Sequence, residues 1–227
     1  MKLRASIATA MLGFAAVAGD ASFAAPAKAP VEWDGLRRVP SKQMDYVYLQ
    51  PGADFRPYTK VIIQPTEVAF RKNWRRDYNS TSRDLGGRVS EQDVQDAISK
   101  GVAAATDMFV EAWRKGGYTV VDAPGPDVLI VKTAIANISV NAPEARTSAR
   151  SYSFSEEAGR ATLVIEARDS MTNALLGRAV DNRVAGDNGA LRRTSVSNRM
   201  DFRDLAQQWA NDSVRGMSEL KQLSPIQ

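Results

Sequence analysis

Between Ser90 and Gly116 the chain carries its most constraining feature, a long run with strict helical spacing. Val94, Ile98, Val102, Ala105, Phe109 and the pair Ala112/Trp113 recur every three or four residues, which gathers them into one apolar stripe. Ser90 stands where an N-cap belongs, with Asp93 three residues on as its capping-box partner. Gly116-Gly117 supplies the stop. A helix over 91–115 with one apolar face has to lie on another layer. Trp113 reads as part of that buried face rather than as a binding platform.

The other layer is legible as strands. Residues 45–49 form a short strand, 51–52 a turn, and 59–64 a second strand that continues past Pro65 toward Val68 and Phe70. Pro65 has no N–H to donate, so an edge strand or a bulge is expected there. After the helix come strands at 118–121 and 127–141, separated by DAPGPD. Within the second, VLIV is apolar throughout, as a central strand is, and Ala134, Ala136, Ile138 and Val140 are expected on one face. Ala161, Leu163, Ile165 and Ala167 alternate with Thr162, Val164, Glu166 and Arg168; a turn at 169–173 then leads to a return strand over 175–184. A last helix begins near Asp201, with Phe202, Leu205, Trp209, Val214, Met217 and Leu220 on its apolar side. The order β-β-α-β-β-β-β-α predicts an α/β (α+β) domain, one mixed, mostly antiparallel sheet with two helices packed on one face. Residues 71–89 and 142–160 read as polar surface loops, the second long enough to be functional.

The first 24 residues have the layout of a secretory signal peptide. Lys2 and Arg4 precede a weakly apolar stretch over 5–19, and Ser22-Phe23-Ala24 offers small residues at the cleavage positions. The stretch is shorter than the roughly 20 strongly apolar residues of a spanning helix. Cleavage near Ala24 leaves a flexible tether over 25–31 and a single α/β domain over 32–227. The expected location is periplasmic or secreted. Of 30 basic and 26 acidic residues, cleavage removes Lys2, Arg4 and Asp20, leaving 28 and 25, a net charge of +3. That mild balance in an exported chain argues against nucleic acid as a partner.

Composition excludes more chemistry than it admits. With no cysteine there is no disulfide, thiol nucleophile, thiolate metal site or lipid attachment point. With no histidine the commonest general base and every imidazole-ligated metal disappear. No cofactor and no metal are expected. The remaining enzymatic opening is a carboxylate pair, Glu67 with Asp77 or Glu166 with Asp181. LGGR at 85–88 lacks the glycines and the Lys-Ser/Thr of a phosphate loop.

Two segments are candidate binding surfaces. AFRKNWRRDYN at 69–79 interleaves Arg71, Lys72, Arg75 and Arg76 with Phe70, Trp74 and Tyr78, a pattern that grips anionic lipid, wall polymer or an acidic protein surface. The plainer alternative is a solvated segment whose aromatics pack on the sheet while its charges face water. The 142–160 stretch adds Arg146, Arg150, Arg160, Tyr152 and Phe154, as a contact site or a mere connector. Asp169 and Thr172 serve the hairpin turn itself.

WDGLRRVPSKQMDYVYLQPGADFRPYTKVIIQPTEVAF, EARDSMTNALLGRAVD and the WA of the last helix together resemble a bacterial envelope family known as domain of unknown function 3313. The 34–70 block is the most specific part. The hairpin is also similar to periplasmic modules such as the curli-secretion lipoprotein and the lipoprotein activators of penicillin-binding proteins, whose turn is Asp-x-x-Thr-Gly. Asp169, Thr172 and Leu175 fit, and Asn173 stands in for Gly, a change that a positive φ tolerates. The resemblance implies no activity. Many family members resemble lipoproteins, and this chain lacks their cysteine. The expected function is a non-enzymatic binding or assembly module for another envelope component, most readily a protein. The alternatives are a carboxylate-dependent hydrolase or lyase acting on wall polymer, and a self-assembling structural protein forming homo-oligomers through exposed sheet edges.

Overall fold

The structure is a computed structural model that describes residues 29–81, 88–141, 153–155, 158–186, 191–193 and 195–227. Residues 1–24, expected to be a signal peptide, and Arg146 and Arg150 lie outside the described residues. In chain order the elements are β1 (Glu32–Trp33), β2 (Leu36–Val39), β3 (Tyr46–Leu49), β4 (Lys60–Ile63), β5 (Glu67–Phe70), α1 (Trp74–Thr81), α2 (Glu91–Lys115), β6 (Thr119–Val120), β7 (Val128–Val140), β8 (Ser153–Ser155), β9 (Gly159–Asp169), β10 (Leu175–Ala185), β11 (Leu191–Arg193) and α3 (Ser195–Leu223).

The main sheet runs β1-β2-β3-β10-β9-β7-β4-β6, with β5 also on β7. Pairing is antiparallel from β1 as far as β7 and parallel where β4, β5 and β6 join. The sheet is therefore mixed and mostly antiparallel. β8 and β11 form a separate two-stranded ribbon.

α2 lies over β4, β5 and β6, α3 over β9 and β10, and the helices also pack on each other. The expected capping box is present: Ser90 Oγ accepts from Asp93 N at 3.1 Å while Asp93 Oδ2 accepts from Ser90 N at 2.9 Å. Trp113, Phe109, Trp209, Leu129 and Leu163 are almost fully buried in the shared core. Trp113 Nε1 donates to Ser213 Oγ of α3 at 3.1 Å. Gly116 is needed for this approach, because a Cβ there would overlap Val214.

Three expectations are corrected. Residues 71–89 are not all loop, since α1 occupies 74–81. The last helix starts at Ser195, not near Asp201. Ala134, Ala136, Ile138 and Val140 do not share a face. Asn137 takes φ +53° and the β7–β9 register shifts between Ala136 and Ser139. This irregularity changes the phase, so Ile138 joins Leu129, Val131 and Ile135 in the main core, while Ala134 packs with Val164 and Val180 in a second cluster.

Pro65 interrupts a strand, as its missing donor requires. β4 pairs with the first part of β7 and β5 with the second. In the break Thr66 is held by a 2.7 Å hydroxyl contact with Thr133 and by its N–H to Thr106 Oγ1 of α2 at 2.9 Å.

Candidate functional site

The aromatics of the 70–78 candidate site pack against one another and not as an open stacking platform. Phe70, at the end of β5, stacks on Trp74 at 4.6 Å, and Trp74 on Tyr78 at 5.7 Å. Trp74 is 5% exposed and its Nε1 donates to Val140 O at 3.3 Å. Its ring is engaged within the protein. Burial raises the pKa of the Tyr78 phenol. Helical i, i+4 spacing of Trp74 and Tyr78 was the signal for α1. The charges sit outside this ladder: Arg71 and Arg76 both reach Asp77, at 3.2 and 3.3 Å, and Arg75 reaches Glu91 at 2.9 Å. Lys72 is exposed. What α1 presents is a cationic face partly neutralised by its own carboxylates, worth little to stability.

Glu166 and Asp181 do not form an acid/base couple. In the β9–β10 hairpin Glu166 faces Arg178 and Leu163 faces Asp181, so the two acids project from opposite sides of the sheet. Glu166 is not open to water, its side chain being 15% exposed. Arg178 donates to its Oε1 from Nη2 at 2.6 Å and from Nε at 3.0 Å, and Arg168 Nε donates to Oε2 at 3.0 Å. Arg178 in turn bonds Asp34 at 2.7 Å and lies over the Trp33 ring, 4.1 Å from its centroid. Burial alone pushes the Glu166 pKa up, but hydrogen bonds from Arg178 and Arg168 more than offset it and hold the carboxyl below its usual range.

Asp181 points under α3. It accepts from Trp209 Nε1 at 2.7 Å, from Asp45 N at 3.0 Å, and pairs with Arg183 Nε at 2.6 Å. Burial nonetheless raises its pKa. Both acids spend their oxygens on holding the fold. Glu67 is exposed on β5, while Asp77 is paired with Arg71 and Arg76. Among the described residues no group of three or more acids has the arrangement of a metal site.

A concave site exists elsewhere, where sequence reasoning placed none. A cleft of about 580 Å³ opens between the second half of α3 and the sheet, within the range of small-molecule sites. Its floor includes Leu49, Val131, Ile165 and Ala179; its helical wall is Met217, Leu220 and Leu223, and Trp113 lines it from α2. The 39–44 segment forms the remaining side and is tied across to α3. Gln43 Nε2 donates to Glu219 Oε1 at 2.7 Å, and Arg183 Nη2 bridges Gln43 O and Asp212 Oδ2 at 2.9 and 2.8 Å.

Gly216 lies on this wall in the helix interior, where glycine costs about 1 kcal/mol relative to alanine. A Cβ there would meet nothing within 4 Å. The missing side chain is cleft volume. Leu223, beside it, is 68% exposed. An interior glycine beside Met217 was the sequence signal for this site.

The model of a family described as "Protein of unknown function (DUF3313)" matches residues 27–213. The chain belongs to the DUF3313 family. No curated protein matches this DUF3313 chain. Among solved structures it is similar to the PelC dodecamer from Paraburkholderia phytofirmans, with 12% identity over 73% of this chain and 95% of that one, at a TM-score of 0.35. Protein XCC0632 from Xanthomonas campestris is 13% identical over 76% and 88%, at 0.37. A putative neuraminyllactose-binding hemagglutinin homolog from Helicobacter pylori is 8% identical over 82% and 97%, at 0.30. Likenesses this distant support no inference about the DUF3313 chain. No described helix is long and apolar enough to cross a membrane.

Proposed function

We propose that this DUF3313 protein is an exported, non-catalytic binding module of the cell envelope, and that it holds an apolar part of another envelope component in the cleft against α3. The leader pattern over 1–24 supports export. The cleft is the observation that carries the reading. Each methylene transferred into such a site contributes about 0.8 kcal/mol, so a few of them outweigh what the exposed ion pairs of α1 can supply.

The test uses the mature chain and N-phenyl-1-naphthylamine, an uncharged fluorescent probe. Saturable emission with one site per chain, lost in Gly216→Phe, supports the cleft. Emission that rises without saturation, or is unchanged in a folded Gly216→Phe protein, rejects it.

A second reading rests on the exposed side chains of α1. Arg76, 74% exposed, together with Lys72 and Arg75, forms a cationic face for an acidic envelope protein. Charge complementarity there sets association rate and orientation more than affinity.

A further inference from the structure

We infer that the cleft takes one unbranched acyl chain carrying an uncharged, hydrogen-bonding head group; the inference rests on the cleft reading above and names its ligand class. Size comes first. A cleft of about 580 Å³ has the volume of a small-molecule site rather than of a groove for a folded partner. A hydrocarbon chain is slim enough to enter between sheet and helix and reach Trp113. Met44 and Met217, which also line the cleft, have the unbranched, adaptable side chains that fit around such a chain.

The head group follows from the polar atoms. Gln43, Glu219 and Gln222 line the cleft and are exposed or partly exposed, offering amide donors and acceptors and one carboxylate. Asp212, the second acidic residue on the lining, is ion-paired with Arg183 and Arg215. Arg178 is the one basic residue among those lining it, and its guanidinium is committed to Glu166 and Asp34 on the opposite sheet face. A carboxylate or phosphate head would therefore meet the Glu219 carboxylate, while the cations in and beside the cleft, Arg178, Arg183 and Arg215, are already ion-paired. A hydroxyl or ester head can bond to the glutamine amides at no such cost.

The probe is 1-monoacylglycerol brominated in its chain, which quenches a nearby indole, against the same brominated chain as a free carboxylate. Trp113 lines the cleft, whereas Trp33, Trp74 and Trp209 do not. The expected result is saturable quenching that disappears in Trp113→Phe, with at least tenfold tighter binding of the monoacylglycerol. Gly216→Phe blocks it; if that variant melts at the temperature of measurement, Ala179→Leu on the facing strand replaces it. Equal or tighter binding of the carboxylate overturns the head-group assignment while leaving the cleft intact. If N-phenyl-1-naphthylamine binds but neither chain does, the acyl class is wrong. If nothing binds, the cleft reading itself fails.

Discussion

Trp209 of α3 donates its indole N–H to Asp181 of β10 across 2.7 Å, with both residues buried. This bond fixes where α3 lies on the sheet and hence where the cleft beside it opens. Removing the acceptor leaves Trp209 Nε1 and Asp45 N without it and Arg183 without one of its carboxylates. Asp181→Ala is expected to cost about 3–5 kcal/mol, and Trp209→Phe, which loses one donor and part of a buried ring, about 2 kcal/mol. Urea unfolding monitored by circular dichroism measures both; equal losses would contradict the central role given to the carboxylate.

Glu166 makes stability depend on pH. Its folded pKa is depressed, so its contribution is complete above the unfolded value of about 4.3 and is lost as pH falls through the folded value. Glu166→Gln should lower stability at pH 7 by about 1–3 kcal/mol and flatten the acid limb below pH 5. Asp181 works the other way. Its folded pKa is raised, so the fold holds that proton longer and stability declines as pH climbs from the unfolded value of about 3.9 through the raised one. Melting temperatures between pH 3 and 7 separate the two slopes.

Asn173 adopts φ +58° in the 169–173 turn. There Asp169 Oδ1 accepts from Met171 N, Thr172 N and Thr172 Oγ1, while Oδ2 takes the Tyr58 hydroxyl at 2.9 Å. Asn173→Gly should be neutral or slightly stabilising. Asn173→Val should cost about 1–2 kcal/mol, because a branched Cβ clashes in the left-handed region. Thermal melts decide it.

Ser90→Ala removes one half of the α2 capping box and should cost about 1 kcal/mol. For a domain of this size that lowers the melting temperature by about 2–4 °C. A shift below half a degree would mean that tertiary packing alone fixes the start of α2.

Charge reversal at Arg75 and Arg76 tests the cationic face. Both side chains are largely exposed and their ion pairs contribute about 0–1 kcal/mol. The double variant should melt within about 3 °C of the wild type. Cross-linking in intact cells should then lose a partner that the wild type captures. Retention of that partner would remove α1 from the interface.

How far the sequence reached depended on the range of the interactions. α2 was legible with its cap because Ser90 and Asp93 are three residues apart and the stripe repeats every turn. The 169–173 turn was legible for the same reason. α1 was obscured by the four basic residues in and just before it, Arg71, Lys72, Arg75 and Arg76, although Trp74 and Tyr78 already had helical spacing. The partners of Glu166 were not legible, because strand alternation says which residues share a face, not what covers it. The β1–β2 turn brings Asp34 to Arg178, 144 residues away.

The chain by itself determined its local periodicities, its turns and caps, and the absence of thiol and imidazole chemistry, since these depend on residues a few positions apart or on composition. Tertiary structure alone decided that Trp74 is core, that Glu166 and Asp181 never meet, and that an apolar cleft opens beside Gly216. The Gln43–Glu219 bond along that cleft joins residues 176 positions apart. Such contacts exist only after the sheet has set which strand lies beside which helix.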